Sequence, residues 1–307
     1  MKIAIRIFTL LSLLAGLAAF PARARAESIE TFTTCLDIST AECNALIDLY
    51  ISTQGQDEWR NMTGWAFDPY AANWHGVTID YGHVIALELP GNDLTGSIPA
   101  SIGNLTYLQV LDLSNNLLTG DLPTTIASLT HLWYLDLSSD NDPQTGLTGS
   151  IPANIGNLTL LEELRLYDNH LTGIIPTSIG NLTHLTHLLL QGNDLYGPIP
   201  TTISGCTSLE YMDVGYNMLS GHIPSELGLL PNLKELKLDH NQFDGEVPES
   251  LMDLPLVVLY LDYNHLYVPP NYPDPADPFQ TWLSGLDDDW QYSQTPLNRI
   301  FLPVVKR

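Results

Sequence analysis

The chain has 307 residues, of which 35 are aspartate or glutamate and only 11 are lysine or arginine, so its formal net charge is −24. Nucleic acids and anionic membranes are poor partners for such a surface, because both are bound by neutralising phosphate with lysine and arginine. Protein, peptide and glycan ligands remain.

Residues 1–26 are predicted to be a signal peptide. Lys2 and Arg6 precede an apolar run, and Ala24 and Ala26 provide the small residues that signal peptidase reads. Loss of the segment's four basic residues changes the formal net charge from −24 to −28. A signal anchor is the alternative, but the run is short for a bilayer, which needs about 20 residues. No later segment is long and apolar enough to insert, so we expect a secreted chain without membrane insertion.

Residues 27–82 are predicted to form an N-terminal cap built around one helix. The stretch STAE has the pattern of a capping box, in which Ser39 and Glu42 bond each other's backbone N–H groups. An apolar stripe follows at helical spacing, and Gly55 is the expected stop. The stripe consists of Leu46, Leu49, Tyr50 and Thr53.

The cysteines divide into a pair and a single residue. Cys35 lies just before the predicted helix and Cys43 lies within it, so a disulfide between them is expected to fasten the cap of an exported protein. Cys206 in SGCTSL aligns with Leu182 in GNLTHL of the preceding repeat. This alignment predicts a buried thiol that acts as a small apolar side chain.

Residues 83–268 repeat the pattern L-x-L-x-x-N-x-L, followed by L-x-G-x-I-P. The prolines that close the copies are 24 residues apart, except for one interval of 29 between Pro123 and Pro152. Such a fixed period predicts a solenoid of about eight coils, each with a strand and a short second limb. The repeating asparagines are Asn92, Asn116, Asn169, Asn193, Asn217, Asn241 and Asn264.

The positions within one repeat predict what each residue does. The two leucines of L-x-L point to the same face of a strand, and only stacked coils can bury them in a continuous core. The asparagine lies where the chain leaves the strand, so its amide can satisfy backbone groups of its own coil and of the adjacent coil. We therefore expect a structural ladder of asparagines.

Residues 269–298 are predicted to form a C-terminal cap, and residues 299–307 a tail. Asp277 and Pro278 fit the N-cap and first position of a helix. The apolar face of that helix would comprise Phe279, Trp282, Leu283 and Leu286. The tail comprises the last nine residues of the stretch NRIFLPVVKR. It is predicted to be either a surface-attachment tag or a final strand that packs on the cap.

The stretches ECNALIDLYISTQGQDEWRNMTGW and NWHGVTIDYGHVIALELPGNDLTGSIP resemble the plant-type leucine-rich repeat family with its N-terminal cap, and bacterial secreted relatives share this opening. FQTWLSGLDDDWQYSQTP resembles their C-terminal cap, so the resemblance covers residues 36–296. Cysteines flank W-x-G-V-T in the plant members, whereas Tyr70 and Ile79 stand near those places here. The Cys35–Cys43 pair would therefore be a different disulfide.

The resemblance implies an α/β solenoid, a right-handed superhelix with a parallel sheet on its concave face and helical caps at both ends. Family members bind peptides, proteins or glycans on that face, and some inhibit pectin-degrading enzymes. The membrane span and kinase domain of the family's receptor kinases have no counterpart in this sequence.

No motif for catalysis, cofactor binding or metal binding is found. The sequence lacks G-x-S-x-G, H-E-x-x-H, P-loop and C-x-x-C patterns. His184 and His187 are three residues apart but not on a predicted helix. The insertion Asp140-Asn141-Asp142 lacks the glycine and glutamate of an EF-hand loop. We therefore expect a protein that is not an enzyme and has no metal or cofactor.

The outward positions of the L-x-L segments, four per repeat, are the candidates for ligand binding. Compared with the chain from residue 27 onward, they are enriched over twofold in acidic residues and over threefold in tyrosine. Tyrosine is a common anchor of interfaces, although it also favours strands. The predicted ligand-binding residues are Tyr134, Asp136, Tyr167, Tyr211, Asp213 and Tyr260.

These features predict a non-enzymatic, secreted or cell-surface recognition protein that binds a protein, peptide or glycan on the concave face. An inhibitor of a secreted hydrolase, similar to polygalacturonase inhibitors, is one alternative, and a structural surface protein is another. The sequence leaves the oligomeric state open.

Overall fold

The computed structural model describes residues 34–139 and 144–267, together with Trp282 and Gly285. The predicted signal peptide, the insertion at 140–142 and the tail lie outside these residues. So does most of the predicted C-terminal cap, including Asp277, Pro278, Phe279, Leu283 and Leu286. Trp282 is partly buried and packs against the core.

A nine-stranded sheet runs along the described chain. Its strands, in sheet order, are β1 (Val77–Asp80), β2 (His83–Glu88), β4 (Val110–Asp112), β6 (Tyr134–Asp136), β7 (Glu163–Arg165), β9 (His187–Leu189), β11 (Tyr211–Asp213), β13 (Glu235–Lys237) and β15 (Val258–Tyr260). β1 pairs with β2 antiparallel, and every later pair in this sheet is parallel. This agrees with the predicted parallel solenoid.

Two smaller sheets and a row of short helices form the other sides of the coils. One small sheet contains β8 (Thr172–Gly173), β10 (Asp194–Gly197), β12 (Met218–His222), β14 (Gln242–Glu246) and β16 (His265–Tyr267), and the other contains β3 (Thr95–Gly96) and β5 (Leu117–Leu118). The 3₁₀ helices are Ala71–Asn73, Ala100–Asn104, Thr124–Ser128, Ile155–Asn157, Thr177–Asn181, Thr201–Gly205, Ser225–Leu229 and Glu249–Asp253. Six of these eight start directly after the proline that closes the repeat, which is the N-cap residue and has extended backbone.

The leucine positions form one continuous core. The central residue of each three-residue strand is buried, whereas its two neighbours are mostly half-exposed. Cys206 is fully buried in the same core, as predicted, and burial raises the pKa of its thiol to about 12. The described helices include none that is both long and apolar enough to cross a membrane.

The asparagine row connects each coil to the one before it. Asn193 Nδ2 donates to Leu166 O at 2.9 Å in the preceding coil and to Leu190 O at 3.0 Å in its own coil. Its Oδ1 accepts from Leu171 N at 3.0 Å. The same exchange recurs at Asn116, Asn169, Asn217, Asn241 and Asn264. Each amide thereby satisfies backbone groups that have no access to water.

Asn92, the first of the row, joins the coils to the N-terminal cap instead. Its Oδ1 accepts from Asn61 N at 2.7 Å, and its Nδ2 donates to Asn61 O at 3.0 Å. The cap core beyond this contact is aromatic, because Trp65 stacks at 6.0 Å on Tyr50 and lies 4.9 Å from Trp74 between ring centroids. These rings close the end of the leucine core.

The cap helix α1 spans Thr40–Ser52, and Ser39 is its N-cap in a complete capping box with Glu42. The predicted stop at Gly55 needs correction. The residue with left-handed backbone is Gln54, at φ 57°. Gly55 is needed for a different reason, because a Cβ there would collide with the Tyr50 ring.

The disulfide predicted between Cys35 and Cys43 is present, with their Cα atoms 5.7 Å apart. It ties the start of the described chain to α1. The backbone N–H of Cys35 also donates to Cys43 Sγ at 3.1 Å.

Candidate functional site

The outward residues of the parallel strands form a surface that we call the strand face. The first strand positions are Val110, Tyr134, Glu163, His187, Tyr211, Glu235 and Val258, and the third positions are Asp112, Asp136, Arg165, Leu189, Asp213, Lys237 and Tyr260. Register places each residue beside its counterpart on the next strand. Side chains one repeat apart in sequence are therefore direct neighbours.

The first group of interacting side chains on the strand face is the Tyr134 group, formed by Tyr134, Asp136, Glu163 and Arg165. Tyr134 Oη donates to Asp136 Oδ2 at 3.2 Å, and the Arg165 guanidinium lies 5.6 Å from the centroid of the Tyr134 ring. Arg165 also pairs with Glu163 at 2.6 Å. These four side chains hold one another in place.

Asp136 is the most buried acid of the strand face, with 5 % of its surface exposed. Burial raises the pKa of its carboxyl, and hydrogen bonds from Ser138 oppose that shift. Ser138 donates to Asp136 Oδ1 through its Oγ at 2.6 Å and its N–H at 3.0 Å. Burial also raises the pKa of Tyr134, and the adjacent Asp136 charge adds to the rise. The Tyr134 hydroxyl therefore stays protonated and keeps its hydrogen bond to Asp136.

The second group, the Tyr211 group, is formed by His187, Tyr211, Asp213, Lys237 and Tyr260. The His187 and Tyr211 rings stack with centroids 4.5 Å apart. Lys237 Nζ lies 3.5 Å from Asp213 Oδ2 and 5.9 Å from the centroid of the Tyr260 ring. Burial raises the pKa of Asp213, while the Gly215 N–H and the Lys237 ammonium oppose that shift.

A depression of about 140 Å³ opens in the middle of the Tyr211 group. Its lining residues are His187, Leu189, Tyr211, Met212, Asp213, Glu235 and Lys237. It thus combines a ring face, two carboxylates, an ammonium group and apolar surface. Strands fix all of these groups, which suits the recognition of a side chain or a sugar unit.

The predicted binding residues fall into three places. Tyr134 and Asp136 belong to the first group, and Tyr211, Asp213 and Tyr260 to the second. Three strand steps separate Tyr134 from Tyr211, which at about 4.8 Å per step is roughly 14 Å.

Tyr167 lies just past the end of β7, two residues after Arg165, and it continues the alternation of half-buried and buried residues of that strand. Its carbonyl accepts from Ser139 N and Asn169 Nδ2 at 3.2 Å each. Among the described residues, no side-chain contact joins Tyr167 to the Tyr134 group or the Tyr211 group, so its role in binding stays a prediction.

Sequence reasoning missed the partners of the tyrosines. Arg165 and Lys237 are the basic side chains among the outward positions, and His187 completes the stack on Tyr211. An alignment of the repeats contains the signal for these partners. Arg165, Lys237 and His187 align with Asp136, Asp213 and Tyr211 of an adjacent repeat, and aligned residues are neighbours in a parallel sheet.

The turn after the strands carries a row of stacked rings, which we call the edge column: Tyr216, His240 and Tyr263. Each directly precedes a ladder asparagine, and each has left-handed backbone, with φ of 52°, 50° and 54°. The Tyr216 and His240 rings stack at 3.9 Å, and the His240 and Tyr263 rings at 4.2 Å. Asp239 Oδ2 lies 2.9 Å from His240 Nδ1.

His184 and His187 each make local contacts and do not face each other. His184 Nδ1 lies 2.9 Å from Thr159 O, and His187 stacks on Tyr211 rather than facing His184. In the described parts of the chain, no three histidine, cysteine or acidic side chains are grouped so that they could hold a metal ion. The insertion with Asp140 and Asp142 lies outside those parts.

Comparison with known proteins gives relatives for this architecture. A profile described as a leucine-rich repeat region matches residues 86–169 and 129–261. The solved structure of PEPR1–AtPEP1 is 33 % identical, with a TM-score of 0.66, over 73 % of this chain and 32 % of that chain. The ectodomain of GASSHO1/SCHENGEN3 from Arabidopsis thaliana, solved with CASPARIAN STRIP INTEGRITY FACTOR 2, is 33 % identical with a TM-score of 0.57, over 74 % and 30 %.

A plant ice-binding protein is similar at 23 % identity and a TM-score of 0.56, over 75 % of this chain and 88 % of that chain. At this identity the likeness concerns the fold alone. The chain spans about a third of the length of the two receptor structures that it matches. The profile matches more than half of its residues, and the coils, the asparagine ladder and the parallel sheet agree with it. The chain therefore belongs to the leucine-rich repeat family.

Proposed function

We propose that the protein is a non-enzymatic recognition protein, secreted or held at a cell surface, which binds a protein or peptide ligand on the strand face. The observation that carries this proposal is the Tyr211 group around its depression. Tyr211 and Asp213 on β11 and Lys237 on the adjacent β13 present a ring, a carboxylate and an ammonium group on two rigid strands. The resemblance to plant-type leucine-rich repeat proteins implies that this face is the concave side of the solenoid.

The composition of the group favours a polypeptide ligand. Tyrosine gives a large contact area at low entropic cost, and stacked or paired side chains lose little further freedom when a ligand binds. The Tyr134 group, about 14 Å away, provides a second contact for the same ligand. One of the two matched structures is described as PEPR1–AtPEP1 and the other as a receptor kinase ectodomain in complex with CASPARIAN STRIP INTEGRITY FACTOR 2, and relatives solved with a partner support a protein or peptide ligand here. A glycan is the alternative ligand on the same face.

Secretion is supported by the signal peptide predicted over residues 1–26. The opening of the cap, with ALIDLY and TGW, supports a relationship to the bacterial secreted members of the family. The proposal expects a mature chain that starts at Glu27. Mass spectrometry of the protein recovered from culture medium or from the cell surface would identify the N-terminal residue, and an N-terminus at Met1 would contradict export through signal cleavage.

The recognition proposal is tested with residues 27–307 and a double variant, Tyr211→Ala with Asp213→Ala. Both proteins are used to capture partners from surface and culture extracts, and the partner's affinity is then measured by calorimetry. We expect the double variant to bind at least about tenfold more weakly, because both residues belong to the centre of the contact. A captured hydrolase would next be assayed for stoichiometric inhibition.

The matched control is Asp194→Ala with Tyr196→Ala. This pair has the same residue types at the same spacing, but it lies on β10 of the five-stranded sheet, where Tyr196 is 52 % exposed. The control should retain the partner, and both variants should unfold near the wild-type temperature. Equal retention by a folded Tyr211→Ala, Asp213→Ala variant would rule out the Tyr211 group as the binding site.

A further inference from the structure

The edge column is open at one end. The His240 ring stacks between the rings of Tyr263 and Tyr216, and Tyr216 is the last ring of the column on the side of the preceding coils. One face of the Tyr216 ring rests on His240, and 58 % of the residue's surface is exposed. The opposite face points toward the preceding coil.

Glycine in the preceding coil leaves that face uncovered. Gly192 occupies the column position next to Tyr216, since its N–H donates to Gly215 O and Asn193 N donates to Tyr216 O. Gly192 has φ of 67°, so the backbone continues the left-handed turn of the column without contributing a side chain. A planar group of about one ring's thickness can lie there at the spacing of 3.9–4.2 Å that the column itself uses.

A carboxylate lies at the foot of this open face. Asp168 occupies the column position one coil earlier, and its Oδ1 leans over Gly192 so closely that a Cβ on the glycine would collide with it. Burial raises the pKa of this carboxyl. In the described parts of the chain the Asp168 side chain has no hydrogen-bond or ion-pair partner, unlike Asp136 and Asp213. A ring face and an unpaired carboxylate therefore converge above one glycine.

We propose that the space above Gly192 binds an arginine side chain of a peptide or protein ligand, with its guanidinium stacked on Tyr216 and hydrogen-bonded to Asp168. A guanidinium is planar, so it stacks on an aromatic face and still directs N–H donors at a carboxylate in its own plane. Lysine lacks the flat surface. This inference deepens the recognition role proposed above, and rests on it only for the source of the arginine.

The surroundings favour a cation over a neutral planar group. Asp213 and Asp239 also direct carboxylate oxygens toward Gly215, at 3.3 Å and 3.0 Å from the position of a Cβ on that residue. Gly215 immediately precedes Tyr216, so the open face lies in a region of negative charge. Lys237 offsets part of this charge through Asp213, whereas Asp168 has no such counter-charge.

The test uses small probes that report on this position alone. The protein, residues 27–307 with ¹³C-labelled tyrosine and aspartate, is titrated with N-acetyl-arginine amide, and the Tyr216 ring and Asp168 carboxyl signals are followed by NMR. N-acetyl-citrulline amide is the neutral planar probe, N-acetyl-lysine amide the non-planar cation, and cellobiose the sugar. We expect saturable shifts of both signals with the arginine probe and at least about fivefold weaker binding of the others.

Variants separate the two contacts. Tyr216→Leu should abolish the response of the Asp168 carboxyl, Asp168→Asn should weaken the response of the Tyr216 ring, and Tyr196→Leu should change neither. Equal responses to all probes, a stronger response to cellobiose, or no response at all would each overturn the arginine assignment. Tyr211→Ala alone, which keeps the Asp213 carboxylate, should retain the arginine response while it weakens binding on the strand face, so this inference and the proposed recognition role can fail independently.

Discussion

The asparagine ladder and the strand face lie only a few residues apart in every coil, yet they behave in opposite ways. The ladder repeats one residue because each amide must bond the backbone of two coils in a buried position. The strand face changes from coil to coil, because its side chains touch one another and solvent rather than the core. Repetition in a solenoid therefore marks the constraint between coils, and variation marks the surface that is free to acquire a ligand.

The largest effect is expected from breaking the ladder. Asn193→Ala leaves Leu171 N without its acceptor, and it removes one of the two amide donors from both Leu166 O and Leu190 O, which keep Asn169 and Asn217. We expect the free energy of unfolding to fall by about 3 kcal/mol, because an unsatisfied buried N–H costs about 1–3 kcal/mol and each of the two other lost hydrogen bonds about 1 kcal/mol. Urea denaturation would measure the loss. Asn157→Ala, at an exposed asparagine, is the matched control and should change stability by less than about 0.5 kcal/mol.

Opening the cap disulfide should have a smaller effect, at the end of the solenoid instead of its middle. Cys35→Ser with Cys43→Ser releases a loop with a sequence separation of eight residues. The chain-entropy relation then gives a loss of about 2.5 kcal/mol. Amide hydrogen exchange should become faster mainly in α1, because each unit of a solenoid contacts only its neighbours. Faster exchange spread evenly over all coils would contradict this view of the cap.

On the strand face, stability should respond weakly. Lys237→Met removes the ammonium group that lies near Asp213 and over the Tyr260 ring. Its side chain is 32 % exposed, so solvent screens the pair, and we expect a loss of about 0.5–1 kcal/mol. The same variant should alter ligand affinity more than it alters stability. A stability loss as large as that of Asn193→Ala would mean that the Tyr211 group serves the fold.

The smallest expected effect is a dependence on pH at Asp136. Burial raises its pKa above the ordinary value of 3.8, so the folded protein holds this proton more tightly than the unfolded chain does. Its contribution to stability therefore falls as pH rises from 3.8 through the raised folded value, and stays low above it. Asp136→Asn keeps an oxygen that accepts from Ser138 and carries no charge.

The free energy of unfolding of the Asp136→Asn variant should therefore exceed that of the wild type by about 0.5 kcal/mol at pH 7. This difference should disappear toward pH 3. Thermal or urea unfolding of both proteins over this range would measure the difference. A difference in the free energy of unfolding that is the same at all pH values would contradict a destabilising buried charge at Asp136.

The sequence by itself determined the repeating parts of this protein. The 24-residue period gave the strands, the leucine core and the row of asparagines, because these depend on what every coil must do against its neighbours. The capping box and the close pair of cysteines likewise predicted the start of α1 and the disulfide, since both are local in sequence. The sequence wrongly predicted Gly55 as the stop of α1. The reason for a glycine there is its close approach to the Tyr50 ring, and this tertiary contact cannot be read from the sequence.

Only the tertiary structure decided which varied residues meet. His187 reaches Tyr211, and Lys237 reaches both Asp213 and Tyr260, because the parallel register places residues from different coils side by side. The left-handed backbone of Tyr216 and His240, in the turns after their strands, brings these two rings into a stack. A strand pattern indicates which side a residue points to, whereas its neighbours depend on register and on the backbone angles where the strand ends.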